Sequence, residues 1–122
     1  MRHLTLSITC DGSGNATVNG TEAIMGRLYA ILYKPGTIDT GATVTVTNQG
    51  IFAKPLLTKA TAGTADALFY PRDLVHAVAD GAALTGTSGG DRVEPLLDGI
   101  LRVAIASGGN GGKGSLILYY ED

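Results

Sequence analysis

"ILRVAIASGGNGGKGSLILYY" occupies residues 100–120 of the chain, and its reading decides the fold. On either side of the glycines the side chains alternate. Leu101, Val103 and Ile105 share one face of the first flank, and Leu116, Leu118 and Tyr120 share one face of the second. That period of two is the mark of a half-buried β-strand. The middle, "ASGGNGGKGS", invites a second reading as a phosphate-gripping loop. The Walker pattern G-x-x-x-x-G-K-[ST] requires a glycine where this chain has Ser107 and a hydroxyl where it has Gly114. Such a loop must also open into a helix, whose N-terminal amides hold the phosphate. Here a strand pattern follows, so the stretch reads as the tip of a hairpin between two strands. Gly108, Gly109, Asn110, Gly111 and Gly112 then form a small, backbone-rich tip suited to lying against a neighbouring chain. Bulkier residues at Gly109 and Gly112 are expected to spare the isolated fold and to weaken assembly.

The same period recurs outward from this point. "HLTLSITC" puts Leu4, Leu6, Ile8 and Cys10 on one face, and "DGSGN" turns the chain. "AIMGRLYAILYK" (residues 23–34) is long enough for a helix, but its neighbours are strands and "KPG" ends it abruptly. It reads as a strand, with Gly26 as the site of a bulge. "ATVTVTN" sets Val44 and Val46 inward and threonines outward, and "IFAKPLLTKA" and "ADALFYPR" read as further strands. Only "DLVHAVADGAAL" allows a helix, a short one near residues 73–81. The expectation is a single all-β domain over residues 1–122. It is an antiparallel β-sandwich or jelly-roll-like barrel of about seven to nine strands with at most that one helix.

Composition narrows the function classes. The 122 residues hold 18 glycines, charged residues make up 16%, and the formal net charge is −2. The basic residues are scattered singly, whereas a nucleic-acid binder needs clustered cations, so no nucleic-acid partner is expected. No stretch approaches the roughly 20 apolar residues that span a bilayer as a helix, and the N-terminus lacks the apolar block of a secretory signal, so no membrane association is expected. Few charges and many threonines describe either a neutral β surface or one that faces other subunits.

No catalytic or metal-binding constellation emerges. Cys10 is the only cysteine and falls on an inward face, where a thiol acts as a small apolar group. His3 and His76 have no selected acidic partner, although Asp73, Asp80 and Asp91 are near His76 in sequence. "DGSGNATVNGTE" supplies oxygen donors at alternate positions and Glu22 at position twelve of a calcium loop. Ala16 stands where the loop needs glycine, however, and the flanks are strands. No catalytic residue, cofactor or metal is therefore assigned, and the chain is expected to be non-enzymatic. Tyr119 and Tyr120 point to opposite faces of one strand, so at least one is expected on the surface as contact area.

Taken together, the "DGSGN" turn, "GRLYAILY", "ALFYPRDLVH" leading to "DGAAL", and the closing "DGILRVAIASGGNGGKGSLILYYED" resemble small β-rich structural proteins of tailed bacteriophages. The resemblance implies a virion structural role: a capsid decoration protein, or a head–tail or tail component. Its partners would be major capsid or tail and connector proteins and further copies of itself in a symmetric assembly, reached through residues 108–112, Tyr119 and Tyr120. A receptor- or glycan-binding module at a tail tip is the alternative.

Overall fold

The computed structural model describes residues 1–50, 54–74 and 92–121. Among the described residues nine strands follow in chain order: β1 (Arg2–Thr9), β2 (Ala16–Lys34), β3 (Thr43–Asn48), β4 (Lys54–Lys59), β5 (Ala67–Phe69), β6 (Asp73–Leu74), β7 (Arg92–Val93), β8 (Leu96–Ala106) and β9 (Lys113–Glu121). The protein is all-β. Seven strands form one antiparallel sheet in the order β1-β9-β2-β8-β3-β4, with β5 also paired to β2, and β6 and β7 form a small separate ladder. No helix occurs among the described residues. The helix expected near residues 73–81 lies almost wholly outside them, and its first two residues, Asp73 and Leu74, form β6.

Strand β2 organises the sheet. The sequence pattern suggested a strand from residue 23, but the strand starts at Ala16 and is one element of 19 residues. Its first half pairs with β8, from Ala16 opposite Ile105 to Arg27 opposite Leu96. Its second half pairs with β9, from Arg27 opposite Glu121 to Lys34 opposite Ser115, and with β5 on its other side. One half thus belongs with β8, β3 and β4, and the other with β9, β1 and β5. Inward residues from both halves enter one core cluster, which holds Leu6, Ile8, Ile31, Tyr33, Val44, Val46, Leu101, Val103, Leu116 and Leu118. The sheet therefore folds over on itself about β2, as an unclosed sandwich or barrel with β1 and β4 at the two ends of the strand order.

Two irregularities make that fold-over possible. Between Asn19 and Ala23 the register slips against β8, and between Leu28 and Ala30 it slips against β9, where Tyr29 is the unpaired extra residue. Bulges bend a strand and increase its twist. The second also exchanges its faces. Ile24 and Leu28 are buried before the second bulge, and Ile31 and Tyr33 after it, so the inward set moves from even to odd positions.

The closing stretch departs from the hairpin reading. Strands β8 and β9 form as expected, but they are not neighbours, because β2 lies between them in the sheet. Residues 107–112 are a crossover from one half of the folded sheet to the other. Local alternation identifies both strands, but each takes β2 as a neighbour in place of the other.

Leu101 has no solvent exposure and lies at the centre of β8. Replacing it with alanine removes buried methyl groups and leaves a cavity, at a cost of about 2–5 kcal/mol. Urea unfolding of Leu101→Ala is expected to show a lower midpoint with an unchanged slope.

Candidate functional site

Two regions contain the residues singled out in the sequence. The first is a clasp of three loops at one end of the sheet. The glycine crossover meets both the β1–β2 turn and the loop after β2. The Gly108 N–H donates to the Gly14 carbonyl at 2.7 Å, and the Cys10 N–H donates to the Gly112 carbonyl at 2.8 Å. From the third loop, the Asp39 N–H donates to the Gly108 carbonyl at 2.9 Å and the Thr37 N–H to the Lys113 carbonyl at 2.8 Å. The Lys113 N–H in turn donates to the Thr37 hydroxyl at 2.8 Å. Polar backbone that would otherwise be stranded is thereby satisfied within the chain.

This packing explains the glycines by close approach. A Cβ on Gly112 would lie 2.6 Å from the Gly108 carbonyl oxygen. One on Gly109 would lie 2.7 Å from the Asp39 carboxylate, and Gly109 also has φ +85°. The expectation that bulkier residues at Gly109 and Gly112 spare the isolated fold is therefore corrected: both positions are filled by the chain's own atoms. Gly108 and Gly112 are buried, while Asn110 and Gly111 face outward.

The turn itself is a carboxylate-capped loop. Asp11 Oδ1 accepts the Ser13 N–H at 2.8 Å and the Asn15 N–H at 3.0 Å. Glu22 sits far along β2 and lines a different shallow depression with Arg2, Met25 and Tyr120. Among the described residues no group of three His, Cys, Asp or Glu side chains gathers as a metal site. Cys10 is buried under the clasp, and burial, then the charges of Asp11 and Asp39, push its thiol above its ordinary value. A thiol held protonated in this way is a poor nucleophile. His3 lies on β1 with its ring centroid 6.2 Å from that of Tyr119. His76, Asp80 and Asp91 lie outside the described residues.

The second region is the outer face of the half built from β1, β9, the end of β2 and β5. Met1, Tyr29, Ala30, Leu32, Leu68, Tyr70 and Tyr119 line a shallow apolar depression of about 260 Å³. Tyr70 is 52% exposed, Leu68 47% and Tyr29 39%. The Tyr29 and Tyr70 rings meet edge to face with centroids 5.8 Å apart. Arg72 lies over both, its guanidinium carbon 5.6 Å from the Tyr29 centroid and 5.8 Å from that of Tyr70. The same guanidinium donates to the Tyr29 carbonyl at 2.8 Å and the Pro71 carbonyl at 2.7 Å. An exposed aromatic pair is thus ordered in place by a cation.

Of the two tyrosines expected as contact area, Tyr119 lies on this face, whereas Tyr120 is only 8% exposed and belongs to the core. Sequence reasoning did not select Tyr29, Leu68, Tyr70 or Arg72. The signal available for three of the patch residues was "LYAILY", a run without alternation. It lacks alternation because the second half of β2 buries Ile31 and Tyr33 on one face and sets Ala30 and Leu32 beneath the patch on the other. The chain matches no family model, and no curated protein or solved structure is significantly similar to it.

Two outcomes test the clasp. Gly112→Ala is expected to lower stability by about 1–3 kcal/mol through overpacking. Gly12→Ala, whose Cβ would meet only Asn110 at 3.9 Å, should stay within about 0.5 kcal/mol of the parent in thermal melts.

The second outcome concerns pH. The Asn15 and Ser13 amides hold the exposed Asp11 carboxyl below its ordinary value of 3.8. Its contribution is therefore complete above that value and is lost as pH falls through the lower folded value. Asp11→Ala should melt earlier than the parent at pH 7, and the gap should narrow below pH 3.8 in calorimetry.

Proposed function

We propose that this chain is a non-enzymatic structural protein that works by attaching to neighbouring protein subunits, as a capsid decoration or head–tail component of a tailed-phage virion. The observation that carries the binding role is the exposed patch around Tyr29, Leu68 and Tyr70. Contiguous exposed apolar surface on a small β protein marks an interaction site. Tyrosines fixed by Arg72 lose little side-chain freedom on binding, which favours their use as contact anchors. In a repeating assembly one modest contact acts many times over, so a patch of this size suffices. The virion assignment draws on the sequence resemblance.

A glycan-binding role would use the same rings. Among the described residues the depression is lined by apolar side chains and ring faces, with tyrosine hydroxyls as the side-chain polar groups, whereas a sugar needs several aimed hydrogen-bond partners. Protein contact is the better reading.

The test is composition and competition. Washed particles of a phage that encodes this chain should contain it in many copies by mass spectrometry and cryo-electron microscopy. Leu68→Asp combined with Tyr70→Asp should leave the far-ultraviolet spectrum unchanged and reduce particle occupancy at least about tenfold. Absence of the chain from washed particles sinks the virion role. Full occupancy by the double variant sinks the role of the patch.

A further inference from the structure

An asparagine or aspartate followed by glycine carries a weakness that a fold either covers or exposes. The glycine amide nitrogen can attack the side-chain carbonyl carbon of the residue before it and close a five-membered ring. Glycine permits this because it has no Cβ to block the approach. Among the described residues four such pairs occur: Asp11-Gly12, Asn19-Gly20, Asp98-Gly99 and Asn110-Gly111. Three of them are held shut. Asp11 Oδ1 accepts the Ser13 and Asn15 amides, and those bonds hold the carboxyl below its ordinary value, so it stays ionised, a form that resists attack. Asn19 lies within β2 opposite Arg102, whose Nε–H donates to its Oδ1 at 2.9 Å, and Gly20 is buried. Asp98 lies within β8, its Oδ1 accepts the Asn48 side-chain amide at 2.6 Å, and Gly99 is buried against the backbone of Gly50. In a strand the extended backbone holds the next amide away from the side-chain carbon, so ring closure waits on local opening of the sheet.

Asn110-Gly111 has none of these restraints. Both residues are exposed, in the turn at the outside of the glycine crossover. Among the described residues no hydrogen bond ties the Asn110 side chain. A Cβ on Gly111 would meet nothing within 4 Å. The turn is closed by the two longest backbone bonds of the clasp, from the Gly111 N–H to the Asp11 carbonyl and from the Gly112 N–H to the Gly109 carbonyl, both at 3.3 Å. The rotation that brings the Gly111 nitrogen to its neighbour's side chain therefore breaks two weak contacts and opens no strand.

We propose that Asn110 is a self-modifying site, at which the folded chain converts asparagine to aspartate and isoaspartate and so loosens the clasp. The Gly111 amide nitrogen gives up its proton to water and bonds to Asn110 Cγ, and the side-chain nitrogen leaves as ammonia. A water molecule then opens the ring at one of its two carbonyls. One opening gives aspartate. The other routes the main chain through Cγ, which lengthens it by one methylene and leaves the α-carboxylate as the side group. Both products add a negative charge to the loops that carry Asp11 and Asp39, and the Asp39 carboxylate already lies 2.7 Å from where a Cβ on Gly109 would stand. The longer backbone of isoaspartate also moves Gly111 off the Asp11 carbonyl. The chemistry uses only water and the chain's own atoms, and it does not rest on the virion reading.

The test is to age the full folded chain in mildly alkaline buffer at body temperature. Peptide mapping by mass spectrometry then reads the amide-to-acid conversion at each asparagine. Conversion at Asn110 should run at least about tenfold faster than at Asn19, because Asn19 must wait for β2 to open. The two rates should approach each other when the chain is unfolded in guanidinium chloride. Asn110→Gln, whose closure needs a six-membered ring, should start at the parent's melting temperature and keep it on ageing, while the aged parent melts lower than the fresh one. Equal rates at Asn110 and Asn19 in the folded chain overturn the proposal. So does an undiminished preference for Asn110 in guanidinium chloride, which would make it a property of the sequence alone. Full conversion at Asn110 with no change in melting temperature overturns the loosening of the clasp, as does an aged Asn110→Gln chain that loses as much as the parent.

Discussion

Every backbone amide and carbonyl of β2 must find a partner or water, and that requirement shapes the protein. A strand of 19 residues is too long for one small flat sheet, so its two halves are satisfied by different neighbours, β8 along the first and β9 with β5 along the second. The sheet can fold over only if β2 bends, and β2 bends at the points where the ladder slips. The order of the other strands follows. Strands β8 and β9, adjacent in sequence, are separated in space because β2 lies between them and pairs with both.

Separating them creates a second need. The chain must cross from β8 to β9 over the end of the sheet, past the turn after β1 and the loop after β2. Three backbones meet there with little room for side chains, which is why small residues gather at positions 108–112. The clasp binds together segments distant in sequence, and the Asp11 carboxylate holds one of them in shape. Rigidity at this end follows from satisfied hydrogen bonds and close contact, and it places Cys10 where its thiol is shielded.

The bulge at Tyr29 has a consequence on the outside as well. By moving the inward set of β2 to odd positions, it turns Leu32 outward, close to Leu68 and Tyr70 from β5 and Tyr119 from β9. Core formation and patch formation are two results of one slip in register. A surface feature produced in this way has no motif of its own, and it is visible only when three strands are laid side by side.

The strands were legible from the chain because alternation is local: "HLTLSITC", "ATVTVTN" and the two flanks of the glycine stretch each declare a strand and its inward face within a few residues. So were the inward Cys10 and the opposed faces of Tyr119 and Tyr120. Partner choice was not legible, since a strand pattern states which side is apolar and says nothing about which neighbour covers it. Hence the glycine stretch looked like a hairpin tip and is a crossover, and "LYAILY" read as an apolar strand without showing that its two faces meet different surroundings. The amino-acid order by itself determined the β class and the faces of its strands, because side-chain period is a property of single segments. Tertiary structure alone decided which strands meet, where the glycines press and which tyrosines reach the surface, because those depend on register between segments far apart in the chain.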